Sequence, residues 1–367
     1  MNELSNHTRT NCIQLKESMR QLLLGISMCM LVFISCSKTE NSEPTDEPPI
    51  NQLEPTLTLQ FEKKENFSLS HIVFTADGRA AALSGGRILF SDNDGNTWET
   101  VRQYGADSLI QSVALHPSQN YIFAGARFSH NNNIYTRQLI TQKVNGEWKK
   151  PVIITSTYED DQGNNGYIMF DYNHSFWFRD FVINSYTNTN ATNGFIALQT
   201  NVMNTDNPPA QIVKAPRQDR TFIAKNVMPV HDAGIDVYFN VAGYEFARNP
   251  DIKMHSRIHT LKSFSWGEWE KYNVSDNHNA PQCCLPDYMC ASPALKNQNF
   301  NKLFLYKGLS KLYRSNSKTA AYHQQEIILP ADLFGSNELQ CVGIDRIGYV
   351  WLSVKGIGLF KSTAVLN

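Results

Sequence analysis

The stretch Ser91-Asp92-Asn93-Asp94-Gly95-Asn96-Thr97-Trp98 leaves the chain few conformations to choose from. Small polar side chains at Ser91, Asn93 and Thr97 can bond turn backbone, and Gly95 suits a left-handed position. Trp98 brings more apolar surface than a turn can leave in water. A tight hairpin turn that delivers a Trp into a core is the expected element. Reading outward, residues 71–76 form a strand-like run, Asp77-Gly78 is a turn dipeptide, and 79–84 is a second run rich in Ala and Leu. Gly85-Gly86 turns again, 88–91 is a third run, and 98–102 after the polar stretch is a fourth. Four short antiparallel strands thus fit into roughly thirty residues.

The unit recurs. Residues 112–117 and 121–127 read as strands around Ser118-Gln119-Asn120, residues 132–143 as a third, and Asn145-Gly146-Glu147-Trp148 repeats the turn followed by Trp. Trp148 follows Trp98 by about 50 residues, the length of one repeat unit. A third unit is expected from a strand at 167–170, a turn at Asp171-Tyr172-Asn173-His174 and a strand at 175–183, with its outer half at 194–200 and 211–214. A fourth is expected from 226–230, the turn His231-Asp232-Ala233-Gly234 and 235–241. It ends at Trp266-Gly267-Glu268-Trp269. A fifth spans 291–329, and the last, 342–362, repeats the order of the first. The chain then ends without room for a fourth strand there. Residues 56–61 alternate polar and apolar and are expected to supply it, closing the ring and covering its edges. The fold class expected is all-β, a β-propeller of four-stranded antiparallel blades, with six blades as the count and five or seven as alternatives.

The opening stretch resembles the Asp-box, or BNR repeat, of sialidase-like β-propellers, whose pattern is Ser-x-Asp-x-Gly-x-Thr-Trp. Ser91, Gly95, Thr97 and Trp98 match it, and Asn93 stands at the Asp position. The last unit, with Asp345-Arg346-Ile347-Gly348-Tyr349-Val350-Trp351 and Gly358-Leu359-Phe360, resembles the repeats of two-component-regulator propellers. The resemblance implies structural roles for Ser91, Asn93, Gly95, Thr97 and Trp98. It also implies that this turn lies on the face opposite the one where propellers bind ligands.

Residues 22–34 are an apolar run preceded by Arg20, too short for the ~20 residues a membrane helix needs. The run closes on Phe33-Ile34-Ser35-Cys36, which resembles a bacterial lipobox, so residues 1–35 read as a lipoprotein signal peptide and Cys36 as the lipidated residue. Met19 offers an alternative start. Residues 36–55, rich in Ser, Thr, Glu, Asp and Pro, read as a disordered tether, and 56–367 as the propeller. Ser37 after the Cys favours the outer membrane, facing either the periplasm or the cell surface. Asp107-Ser108-Leu109 resembles a short O-glycosylation signal of Bacteroidetes. Cys283, Cys284, Cys290 and Cys341 are an even set in an oxidising compartment and read as candidate disulfides, with three pairings open. No metal and no cofactor are expected, because Cys-Cys-x5-Cys is not a usual zinc spacing.

With 33 Lys+Arg against 34 Asp+Glu, the chain has no field for nucleic acid. The propeller resemblance assigns ligand binding to the loops joining second and third strands. Those loops bring Arg87, Arg127, His130, Tyr244, Lys307 and Lys355, cations and aromatics beside Gly, suited to an anionic or glycan ligand. Sialidase chemistry would require an Arg cluster and a Tyr–Glu pair. The usual Arg-Ile-Pro is absent, and the available carboxylates are Glu159 and Asp161 in the crossover between the second and third units. The function expected is therefore a monomeric, lipid-anchored, extracytoplasmic binding or scaffold module for glycan or an envelope protein. The alternative is a sialidase-like glycoside hydrolase.

Overall fold

Short antiparallel ladders joined by Gly- and Asn-containing turns build this structure. The computed structural model describes residues 53–130, 133–154, 286–293, 300–316, 325–334 and 337–366, and the strands given below between residues 157 and 275. Ile50–Asn367 forms one compact unit. Residues 1–35, Cys36 and the tether up to residue 52 lie outside the described residues.

The first sheet orders His71–Phe74, Ala80–Ser84, Arg87–Ser91 and Glu99–Gln103. The second orders Ser108–Leu115, Tyr121–His130, Asn133–Val144 and Glu147–Trp148, with Val152–Ile154 also paired to the third of these strands. In the third sheet stand Phe170–Phe178, Phe181–Asn188, Gly194–Gln199 and Ile212–Lys214. The fourth holds Phe222–Ala233, Asp236–Phe246, Met254–Phe264 and Glu268–Ser275. Tyr288–Ala291, Lys302–Tyr306, Lys311–Ser315 and Gln325–Ile328 make the fifth, and Leu339–Ile344, Tyr349–Val354 and Gly358–Val365 most of the sixth. Hairpin connections keep each sheet in chain order. Helix among the described residues amounts to Ala331–Phe334 and a 3-10 turn at Lys307–Leu309.

The first strands of successive sheets touch in cyclic order, and the first strand of the sixth sheet touches that of the first. The ring is therefore closed. Strand alternation explains how the sheets stack face to face. In the first sheet Ala82 and Leu89 enter a core shared with the fifth and sixth sheets, whereas Ala81, Leu83, Ile88 and Phe90 enter one shared with the second. Ala80–Ser84 is buried on both faces, and its three alanines let the neighbouring sheets approach closely.

Closure differs in detail from the sequence expectation. The fourth strand of the sixth sheet is Phe61–Glu65, antiparallel to Gly358–Val365. Thr56–Thr58 instead adds to the outer edge of the fifth sheet, parallel to Gln325–Ile328. The chain thus braces two neighbouring edges, with Leu59 buried between the two strands and Gln60 accepting a hydrogen bond from the Thr363 N–H at 2.9 Å.

Two turns are also corrected. Asp171, Tyr172, Asn173 and His174 do not turn. They lie inside Phe170–Phe178, where the ladder to Phe181–Asn188 absorbs them with a bulge between Tyr172 and His174. His231, Asp232 and Ala233 likewise continue Phe222–Ala233, with a bulge between Pro229 and His231. Long ladders overrode local turn preference at both places.

Candidate functional site

Alternating strand direction places the turns of each sheet on two faces. Hairpins joining second and third strands share one face with the crossovers between sheets; the other two turns of each sheet lie on the opposite, turn face. The hairpin face is uneven. The hairpin strands of the first and fifth sheets have 5 residues each. Those of the second have 10 and 12, and those of the fourth 11 and 11. In the second sheet the ladder stays in register to its tip, from Phe128↔Tyr135 to His130↔Asn133, beyond the first pair of the inner strand, Ser108↔Phe128. At ~3.3 Å per residue, such hairpins are longer by well over 10 Å and give that half of the ring tall walls.

Of the residues assigned to hairpin tips, Arg87 is at its tip. Its guanidinium lies 5.6 Å from the Phe67 ring centroid and donates to the Ser84 carbonyl and Oγ, both at 3.4 Å. Lys307 opens the 3-10 turn of the fifth sheet, and its N–H donates to Asp287 Oδ2 at 2.7 Å. Lys355 pairs with Glu338 at 2.8 Å, both side chains well exposed, a contact worth little in water. Two of the six are not at tips. Arg127 sits inside Tyr121–His130 opposite Leu109 and Thr136, and Tyr244 inside Asp236–Phe246 opposite Ile223 and Ser256. His130 ends its strand, paired with Asn133. The reason is hairpin length: each ladder continues through the residues that read as its loop.

Glu159 lies in a two-stranded hairpin of its own, Thr157–Glu159 with Asn165–Tyr167, where it is paired with Asn165. Asp161 lies outside the described residues. Cys290 and Cys341 are free thiols, which corrects the disulfide expectation for these two; Cys283 and Cys284 lie outside the described residues. Burial pushes both thiols up, Cys341 to about 12, so neither is a nucleophile at neutral pH. Tyr288 is fully buried and raised for the same reason. Its hydroxyl donates to the Ile72 carbonyl at 2.9 Å and accepts the Ile72 N–H at 3.2 Å, tying the fifth sheet to the first.

On the turn face, the Ser91–Trp98 turn is held by its own side chains. Ser91 Oγ accepts the N–H groups of Gly95 at 2.9 Å and Asn93 at 3.3 Å, and donates to Asn93 Oδ1 at 3.0 Å. Asn93 Oδ1 accepts the Thr97 N–H at 2.9 Å, and its Nδ2 donates to Thr97 Oγ1 at 2.8 Å. Gly95 has φ +78°, and a Cβ there would stand 3.3 Å from the rings of Trp98 and Trp351. Trp98 is half-buried against the core of the fifth, sixth and first sheets.

No family model matches the chain, and no curated protein matches it by sequence. Solved structures do. A GH93 α-L-arabinofuranosidase of Fusarium graminearum in complex with arabinobiose aligns with 85% of this chain and 99% of its own, at TM-score 0.50 and 10% identity. An α-L-arabinanase of Penicillium chrysogenum complexed with arabinobiose aligns with 87% of this chain and 96% of its own, at TM-score 0.51 and 10% identity. The fold is a β-propeller. Identity at this level carries the architecture and no assignment of side chains. What sequence reasoning missed on the hairpin face is its asymmetry, for which the only signal was the wide spacing between Trp148 and Trp269.

Proposed function

We propose that this chain is a six-bladed β-propeller that cleaves glycosidic bonds, with its working surface on the hairpin face. The observation that carries the reading is the pairing of this fold, similar along most of its length to an α-L-arabinofuranosidase and an α-L-arabinanase, with the tall hairpins of the second and fourth sheets. Walls of that height around a ring opening give a cleft rather than a flat surface, as oligosaccharide hydrolysis needs. The Glu159 hairpin lies in the crossover between the second and third sheets, on the same face. A pair of carboxyl groups across the bond is the chemical requirement, one to protonate the leaving oxygen and one to attack or to activate water. Glu159 and Asp161 are the first candidates for that pair.

The test is release of reducing sugar by the full chain from arabinan, 4-nitrophenyl α-L-arabinofuranoside and a 4-nitrophenyl sialoside. Release from one of the furanosides, falling at least ~100-fold in Glu159→Gln or Asp161→Asn, is the expected outcome. Hydrolysis unaffected by both changes removes these carboxylates from the mechanism. No release from any substrate overturns the hydrolase reading in favour of a non-catalytic module that binds glycan or an envelope protein. That second reading is favoured by Arg87 and Lys355, whose charges are engaged within their own hairpins or with Glu338 rather than converging.

We further infer that the protein is a monomeric outer-membrane lipoprotein anchored through Cys36, and that the Ser91–Trp98 turn is an Asp-box with Asn93 in place of the acid. The lipobox-like Phe33-Ile34-Ser35-Cys36 supports the first, and the mutual bonding of Ser91, Asn93 and Thr97 supports the second. Metabolic labelling with a palmitate analogue should mark the wild type and not Cys36→Ala; equal labelling of both would sink the anchor.

A further inference from the structure

The turn face holds a cleft that the hairpin-face reading does not use. It opens between the first and second sheets, measures about 390 Å³, and is lined by Asp77, Arg79, Asp92, Asn120, Lys143 and Asn145 among others. Four separate turns build it. Asp77 and Asp92 come from the two turns of the first sheet, and Asn120 and Asn145 from the corresponding two of the second.

Its walls are cross-braced. Arg79 donates from Nε to Asp77 Oδ2 at 2.8 Å, then reaches into the neighbouring sheet. There it donates to the carbonyls of Gln119 at 2.5 Å and His116 at 3.1 Å and to Asn120 Oδ1 at 3.1 Å. On the outer side Glu99 of the first sheet accepts from Lys143 Nζ at 2.5 Å and from Trp148 Nε1 at 2.9 Å. The Lys143 ammonium also lies over Phe90 and Trp148, 5.3 and 5.7 Å from the ring centroids. Binding here would not first have to order the walls, which removes one of the usual costs of association.

The junction between the sixth and first sheets, on the same face, shows what a filled version looks like. Arg346 leans across it and donates to Asp94 Oδ2 from Nε at 3.1 Å and from its terminal nitrogen at 3.0 Å. It passes so close to Gly78 that a Cβ there would stand 2.9 Å from Cζ. At the first-to-second junction Arg79 also crosses between the sheets, but it is turned down onto the turn backbone of the second sheet, and the cleft beside it stays open.

The chemistry of the lining selects a ligand class. Asp77 is matched by Arg79 and Lys143 by Glu99, so neither an anion nor a cation finds a strong unpaired partner in those four. Asp92 is exposed, and among the described residues it has no hydrogen-bond or ion-pair partner. It offers acceptors, while the amides of Asn120 and Asn145 offer both donors and acceptors. Hydroxyl groups, which donate and accept at once, can use the carboxylate and both amides together, whereas an anion would be repelled by the uncompensated Asp92. We propose that this cleft is a binding site for a neutral mono- or disaccharide, separate from the hairpin face, with Asp92 and Asn145 as its free hydrogen-bonding edges.

The experiment is isothermal titration of the full chain with arabinobiose, xylobiose and maltose, and with digalacturonate as the anionic control. The variants are Asp92→Ala, which removes no hydrogen bond or ion pair among the described residues, and Asn145→Gly, which keeps the left-handed backbone that Asn145 adopts at φ +53°. Both should melt at the wild-type temperature. The expected result is binding of at least one neutral disaccharide more tightly than digalacturonate, weakened roughly tenfold in each variant. Absence of binding by all three neutral sugars overturns the proposal. So does binding that both variants retain, or a preference for digalacturonate. Because the readout is binding and the variants lie on the opposite face, failure here leaves the hydrolase reading standing, and loss of hydrolysis in Glu159→Gln leaves this one standing.

Discussion

The first and sixth sheets meet where the ring closes, and each carries a carboxylate in the turn between its first and second strands, used in opposite ways. Asp345 of the sixth sheet is fully buried. Its Oδ1 accepts the N–H groups of Ile347, Gly348 and Tyr349, each at 3.0 Å. Its Oδ2 accepts Trp351 Nε1 at 3.0 Å and pairs with Lys361 at 3.3 Å. Lys361 in turn lies over Tyr349 and Trp351, 4.3 and 4.9 Å from the ring centroids. Asp77 of the first sheet is half-exposed, accepting from Thr75 Oγ1 at 2.6 Å and from Arg79. One carboxylate organises a core; the other braces a surface between neighbouring sheets. A charge withdrawn from water is tolerated only when its oxygens are fully bonded, and Asp345 meets that condition with four donors and an ammonium.

That difference should be large in a stability measurement. Asp345→Ala removes the acceptor for three backbone N–H groups and the Trp351 indole, and leaves the Lys361 ammonium buried without its partner. A loss of ~3–5 kcal/mol is expected by urea denaturation. Asp77→Asn, at an exposed pair, should cost no more than ~1 kcal/mol. Equal losses in the two variants would break the contrast. Equilibrium unfolding of both, read by tryptophan fluorescence, decides it.

How much of this was legible in the sequence varies around the ring. In the first and sixth sheets, Gly-containing turns sit at both ends of the second strand, five or six residues long, so local signals and final ladders agree. The Asp345-x-x-Gly-x-x-Trp spacing also reads directly as a carboxylate capping the turn that follows. Its pairing with Lys361 does not, because that contact depends on the third strand folding back across the second. In the third and fourth sheets the residues that most resemble turns, Asp171 to His174 and His231 to Ala233, were drawn into long ladders. The hairpin face suffered from the same effect. Arg127 and Tyr244 left the loop set because their hairpin strands run on past the positions where the loops were expected. The turn-face cleft was invisible beforehand, since its lining comes from four turns that only the stacking of two sheets brings together.

The smaller effect sharpens the comparison through pH. Burial alone would raise the Asp77 carboxyl, but hydrogen bonds from Arg79 and Thr75, with the charge of Arg79, outweigh it and hold the group below its ordinary 3.8. A carboxyl lowered by folding contributes stability that is fully present above the unfolded value and lost as pH falls through the folded one. The contribution of Asp77 should therefore be constant from neutral pH to about 5 and fade below 3.8. Melting temperatures of wild type and Asp77→Asn, taken from pH 7 down to 2.5, should differ by a small constant amount and then converge at the acid end. Curves that stay parallel throughout would mean that Asp77 braces the turn by shape alone, and that the two sheets differ in burial but not in their use of charge.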